Sequence, residues 1–151
     1  MVTIGSSLPE FKLENQEGEW VESADFAGRP LVVFFYPQAS TPTCTVEVCN
    51  LRDHFKELEK KGYRLVGISA DPVSKQKKFH SKNTLPFDLL SDSSHEVLEA
   101  FGVWQQKKTF GREYMGIVRK TFLFDSQGIC THIIEKVRSK EASEQILSLP
   151  Q

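Results

Sequence analysis

Cys44 and Cys49 are the side chains in this sequence best suited to covalent chemistry, and their surroundings say what kind. Residues 31–35 read Leu-Val-Val-Phe-Phe. A short β-branched and aromatic run with no polar interruption predicts a parallel strand buried on both faces. The amphipathic segment that follows predicts a helix running as far as Gly62, with apolar positions at Val48, Leu51, Phe55 and Leu58, so Cys44 falls in its first turn. Backbone N–H groups there have no intrahelical partner, and the macrodipole adds partial positive charge. That environment suits a thiolate, the nucleophilic form of cysteine.

Cys49 lies five residues further on. In a regular helix that spacing puts the two Cα atoms about 8.6 Å apart, from a ~1.5 Å rise and ~100° turn per residue. A disulfide needs roughly 7 Å or less. Either the two cysteines are unrelated core thiols, since free cysteine is among the most buried residue types, or function requires that turn to unwind. The spacing alone does not choose between these.

A wider pattern does. Pro37, Thr41 and Cys44 form the Pro-x-x-x-Thr-x-x-Cys signature of peroxiredoxins, and Thr-Pro-Thr-Cys-Thr-Val-Glu-Val-Cys-Asn-Leu-Arg-Asp at 41–53 closely resembles the bacterioferritin comigratory protein, or peroxiredoxin Q, subfamily. Segments 67–71 (Gly-Ile-Ser-Ala-Asp), 85–87 (Leu-Pro-Phe), 90–92 (Leu-Ser-Asp), 101–104 (Phe-Gly-Val-Trp) and 116–122 (Gly-Ile-Val-Arg-Lys-Thr-Phe) resemble it in the same order, over nearly the whole chain.

The resemblance implies an antioxidant thiol peroxidase that reduces hydrogen peroxide and small organic hydroperoxides without cofactor or metal. Cys44 would be the peroxidatic nucleophile and Cys49 the resolving thiol of an intramolecular disulfide, reduced by thioredoxin or a glutaredoxin. Arg119 would be the active-site arginine and Glu47 the acid that positions it. The subfamily tends to be monomeric. Thr43 stands where the family usually has Gly, which bears on how readily the turn unwinds and on access for bulky peroxides.

The chemistry can be costed independently. A free thiol is only a few per cent ionised at neutral pH, and holding one mostly ionised takes a shift of about 2.5 units, or roughly 3.4 kcal/mol. A helix N-terminus can supply up to ~2 kcal/mol and a charged hydrogen bond about 1.5 to 3. Thr41 offers a hydroxyl that can orient a peroxide oxygen or cap the helix. Pro42 suits the first helical position, where a missing N–H costs nothing. Pro37 at the strand exit would shield the sulfur. The amides near Thr43 and Cys44 would receive the leaving oxygen as an oxyanion hole does.

A chain of 151 residues suits a single domain, expected over residues 1–151, that needs no disulfide staple. Its 19 basic and 20 acidic residues leave a formal net charge of −1, so no general attraction to nucleic acid or an anionic membrane is expected. No stretch is apolar enough to span a bilayer, the first residues do not resemble a leader, and three cysteines are too few for a secreted disulfide scaffold. The expected compartment is the cytoplasm.

The expected fold class is α/β: a thioredoxin-like fold with a central mixed sheet, two or more helices on each face and an N-terminal β-hairpin. The hairpin is read around residues 9–14 and 19–21, with Gly18 in its turn. A strand is read at 63–69 and a helix at 73–83 capped by Asp71. A capping-box-like start at 92–96 leads a helix ending at Gly102. Residues 105–115 read as a polar loop. Strands at 119–125 and 129–137 precede a last helix from Ser139 through Leu149. Lys75, Lys77, Lys78 and Lys82 read as a solvated face, His80 and His95 as surface histidines, and Cys130 as an ordinary core or edge thiol.

Two other functions fit some of these residues. A dithiol oxidoreductase acting on protein disulfides would use Cys44, but the usual Cys-x-x-Cys is absent. A redox-sensing or metal-holding binding protein would use Cys44, Cys49 and a histidine, though no histidine stands at a recognisable ligand spacing.

Overall fold

The computed structural model describes residues 1–150. In chain order the elements are β1 (Lys12–Glu14), β2 (Trp20–Glu22), β3 (Leu31–Phe35), α1 (Pro42–Asp53), α2 (Phe55–Lys60), β4 (Arg64–Ser69), α3 (Val73–Asn83), β5 (Asp88–Ser91), α4 (Glu96–Phe101), β6 (Trp104–Thr109), β7 (Arg112–Ile117), β8 (Lys120–Phe124), β9 (Cys130–Ile134) and α5 (Ala142–Leu147). Seven strands form one mixed sheet in the order β2-β1-β5-β4-β3-β8-β9. β3, β4 and β5 are mutually parallel, whereas β8 runs antiparallel to β3 and β9 antiparallel to β8.

All five residues of β3 are buried, as an uninterrupted apolar run demands of a strand covered on both faces. Their alternation divides the core. Val32 and Phe34 face a cluster with Cys44, Val48 and Leu51 of α1, Leu58 of α2, Phe79 of α3 and Ile146 of α5. Leu31, Val33 and Phe35 face a cluster with Val97, Leu98 and Phe101 of α4.

The helices are therefore shared four to one, not two or more per face as expected. α4 is only six residues long, and Val2 and Phe11 from the N-terminal segment and Val103 and Ile117 from the base of the β6–β7 ribbon complete its layer. The helix expected to reach Gly62 is interrupted at His54, whose backbone sits at φ −112°, ψ 14°. The break re-aims α2, placing Phe55 against Phe87 at 6.1 Å between ring centres and burying Leu58 completely.

The polar loop expected at 105–115 is instead an antiparallel two-stranded ribbon, β6–β7, turning at Phe110 (φ 53°) and Gly111 (φ 77°). Both central residues have positive φ, as a type I′ turn requires. With most of both strands exposed, no apolar alternation betrayed it. Asp71 does not cap α3: Pro72 holds that position, and the Asp71 carboxylate turns inward. The final helical segment divides into a 3-10 turn, Ser139–Glu141, and the shorter α5.

Gly67, in the middle of β4, shows how tightly the first cluster is filled. A Cβ there would stand 2.5 Å from Phe34 Cζ and 3.0 Å from Leu89 Cδ2. Phe34 has little room to yield, since its ring lies 5.7 Å from that of Phe87 and 5.8 Å from that of Tyr36. Gly67→Ala is therefore expected to destabilise the fold by ~1–3 kcal/mol through overpacking, read as a lower urea midpoint at unchanged slope.

Candidate active site

The site forms where β3 ends and α1 begins, and the antiparallel pairing of β8 with β3 determines what arrives there. Phe35, the last residue of β3, pairs with Lys120, the first of β8. Arg119, one residue earlier, therefore emerges beside the start of α1. Pro42 occupies the first helical position, as expected, and Cys44 the third.

Cys44 is 1% exposed. Arg119 Nη2 donates a hydrogen bond to its Sγ at 3.2 Å, and Arg119 Nη1 donates to Glu47 Oε1 at 2.5 Å. Glu47 lies three residues after Cys44, so both are on nearly the same face of α1 and one planar guanidinium reaches both. Burial of Arg119 alone would lower its pKa, but Glu47 and Cys44 outweigh that and raise it. Burial pushes Glu47 up to about 7, against the pull of the guanidinium. Its second oxygen, Oε2, is buried without a hydrogen-bond partner.

Thr41 occupies the N-cap position, yet its side chain does not cap the helix. Oγ1 donates to the Gln38 carbonyl at 2.9 Å, which leaves its lone pairs available and the amides of Thr43 and Cys44 without an intrahelical partner. Pro37 lies half-buried in the same β3–α1 loop. Thr43 is exposed, and with Pro42 and Val46 it lines a depression of ≈ 490 Å³ against residues 138–141. A larger depression of ≈ 660 Å³, lined in part by Phe11, Phe26, Arg29 and Asp125, contains none of these residues.

Cys49 faces elsewhere. Its thiol donates to Asn83 Oδ1 at 3.4 Å at the end of α3, where Arg52 Nη1 also bonds the Asn83 carbonyl at 2.8 Å. All three cysteines are free thiols, and burial pushes Cys130 up. Among the described residues no group of three or more His, Cys, Asp and Glu side chains is gathered as a metal would require. No helix among them is long and apolar enough to cross a membrane. Asp71 and Asn83, which touch the loop and Cys49, went unrecognised in the sequence as parts of the site. A polar residue inside an otherwise ordinary helix or turn gives no local signal of a distant partner.

Comparison with known proteins identifies the family and the fold. Residues 4–133 match the AhpC/TSA family. The chain is 42% identical over 144 residues to peroxiredoxin Bcp of Escherichia coli (strain K12), covering 95% of this chain and 92% of that protein. It is 41% identical over 140 residues to peroxiredoxin Bcp of Bacillus subtilis (strain 168), covering 93% and 89%. Among solved structures, the bacterioferritin comigratory protein of Xanthomonas campestris, studied for its alkyl peroxide reduction activity, superposes with a TM-score of 0.87 at 29% identity over 95% of this chain and 96% of that one. Peroxidoxin BcpB of Mycobacterium tuberculosis does so with 0.86 at 32%, over 98% and 96%. These neighbours identify the mixed sheet as the thioredoxin-like architecture expected above. The chain belongs to the AhpC/TSA family, within its Bcp/PrxQ peroxiredoxins, and is a thiol-dependent peroxidase.

Proposed function

We propose that Cys44 is the peroxidatic nucleophile, acting on hydrogen peroxide and small organic hydroperoxides. The observation that carries this reading is the 3.2 Å hydrogen bond from Arg119 to a sulfur seated in the first turn of a helix. Both features favour the anion, and the thiolate is the form that attacks. The near-complete burial of Cys44 admits a small peroxide far better than a protein disulfide, which disfavours the dithiol oxidoreductase.

In the first step the Cys44 sulfur bonds one peroxide oxygen as the O–O bond breaks. Sulfur is oxidised to a sulfenic acid, and the departing hydroxide or alkoxide takes up a proton to leave as water or an alcohol. In this reading Thr41 Oγ1, whose lone pairs are free of its bond to the Gln38 carbonyl, orients the peroxide, and the amides of Thr43 and Cys44 receive the charge that develops on the leaving oxygen. Glu47 keeps the guanidinium aimed at the sulfur.

In the second step the Cys49 thiol attacks the sulfenic sulfur, forming the S–S bond and releasing water. While α1 is intact the two cysteines are too far apart, so its first turns must open. Oxidation itself favours opening, because it adds an oxygen to a sulfur packed at 1% exposure. The exposed Thr43 side chain gives up no buried packing on opening. An external dithiol of the thioredoxin or glutaredoxin type then reduces the disulfide and is itself oxidised.

Three outcomes are expected. After an equimolar addition of hydrogen peroxide, intact mass and thiol counting show one intramolecular disulfide in the wild type. They show a trapped sulfenic or over-oxidised Cys44 in Cys49→Ser, and no rapid reaction in Cys44→Ser. Arg119→Met lowers the second-order rate with peroxide by ~10²- to 10³-fold, measured by stopped-flow fluorescence.

The third concerns Glu47. Because its folded pKa is raised from 4.5 to about 7, the stability it contributes is fully present below pH 4.5 and is lost as pH rises through about 7. The urea midpoint of the wild type is therefore expected to fall relative to Glu47→Gln across that window. Its peroxide rate rises over the same window as ionised Glu47 fixes Arg119. A urea-midpoint difference between the two proteins that does not change across that window contradicts this assignment.

A further inference from the structure

Beneath the loop bearing Pro37 and Thr41 runs a chain of buried polar side chains that the reaction above does not use. Ala39, midway along the loop, donates its N–H to Asp71 Oδ2 at 2.7 Å. The same oxygen accepts from Ser69 Oγ at 2.7 Å. Ser69 Oγ accepts from Gln76 Nε2 at 2.9 Å, and Gln76 Nε2 also donates to the Leu90 carbonyl at 2.9 Å. Gln76 Oε1 accepts from the Tyr36 hydroxyl at 2.5 Å. Burial raises the Tyr36 pKa, so that hydroxyl stays a donor.

The ends of β3 and β4, the first turns of α3 and the middle of β5 are thus tied into one unit. Its connection to the catalytic loop is the Asp71 carboxylate. Burying a carboxylate is costly unless its hydrogen bonds are made, and Asp71 makes them inward to Ser69 and outward to Ala39. The residue after Ala39 adds a second sign of constraint. Ser40 sits at φ 66°, a left-handed conformation uncommon for a non-glycine residue, which persists where the surroundings determine it.

We propose that Asp71 is a positioning residue of the peroxide site. Through the Ala39 amide it fixes the loop that carries Pro37 and Thr41 into the start of α1, ahead of Cys44. It makes no contact with the Cys44 sulfur, whose bonded partner is Arg119. The inference rests on the peroxidase reading above. Two reactions of Cys44 then separate. Attack on an O–O bond needs the peroxide aligned, whereas alkylation by iodoacetamide, in which an S–C bond forms and iodide leaves, needs only the anion and access.

The test compares reduced, full-length wild type, Asp71→Ala, Asp71→Asn and Cys44→Ser. It measures the rate of Cys44 oxidation by hydrogen peroxide and the rate of its alkylation by iodoacetamide, the adduct being assigned by peptide mass. Asp71→Ala is expected to lower the peroxide rate by ~10- to 100-fold without lowering the alkylation rate. Asp71→Asn, whose amide oxygen can accept from both Ala39 and Ser69, restores most of it. A peroxide rate unchanged in Asp71→Ala, both rates falling together, or no rescue by Asn overturns the proposal. Should Asp71→Ala fail to fold, Ser69→Ala, which takes away the inward donor, is read in its place: a fall in the peroxide rate alone supports the proposal and any other pattern overturns it. A wild type inert to peroxide defeats the peroxidase reading itself, whereas an active wild type matched by Asp71→Ala defeats this inference alone.

Discussion

Cys44 and Glu47 are both buried, and a single guanidinium lies between them. Arg119 spends one arm of its fork on Cys44 and the other on Glu47. A lysine ammonium is a compact point charge and lacks this planar fork, which donates in two fixed directions. The arrangement constrains the rest of the fold in turn. β8 must pair antiparallel with β3 in a register that ends at Phe35 and Lys120, or Arg119 would not arrive where α1 starts. α1 must keep its first turn regular, or Cys44 and Glu47 would not share a face.

The tight enclosure that strengthens this pair also limits what the sulfur can meet. In a site shielded from water, each hydrogen bond to an anion is stronger than in solution. The same shielding makes the folded site suited to a small oxidant and unsuited to a second thiol. In the reaction proposed above, the lone pairs of Thr41 Oγ1 and the unpartnered amides of Thr43 and Cys44 would meet such an oxidant. Glu47 Oε2 has no partner, so this buried carboxyl group is only partly satisfied, and burial pushes its pKa up to about 7.

Much of this was legible in the residues. The apolar run of β3 announced a strand buried on both faces, and Gly18, at φ 74°, occupied the expected hairpin turn. The family pattern singles out Arg119 and Glu47, and the fold brings the two side chains together, although nothing local relates positions 72 residues apart. What escaped the sequence has a common physical cause. The bond from Ala39 to Asp71 spans 32 residues, and that from Cys49 to Asn83 spans 34. An Asp before a helix looks like a cap, and an Asn in its last turn looks like a solvated end, until the fold supplies another partner. The β6–β7 ribbon escaped for a different reason: Phe-Gly at its tip is not the Asn-Gly pair that favours positive φ at both positions. The break at His54 escaped because the apolar stripe continues across it.

The anchors at either side of Cys44 also suggest how an opening of α1 can stay local. Asn50 is tied to the C-terminal segment in both directions: its Nδ2 donates to the Lys140 carbonyl at 2.9 Å, and its Oδ1 accepts from the Ser143 N–H at 2.8 Å. Leu51 beside it is fully packed, so the helix beyond that point has strong reasons to persist. On the other side the loop is held at Ala39 by Asp71. Between these ties lie residues 40–49, which include both cysteines. Within that span the interactions include the backbone bonds of α1, the Thr45 Oγ1 bond to the Thr41 carbonyl at 2.8 Å, the Arg119 contacts of Cys44 and Glu47, the packing of Val48 and the thiol bond of Cys49 to Asn83. Local unfolding follows the least costly boundary. In the reaction proposed above, two groups of side-chain hydrogen bonds to the backbone, at Ala39 and at Asn50, would bound the segment that opens.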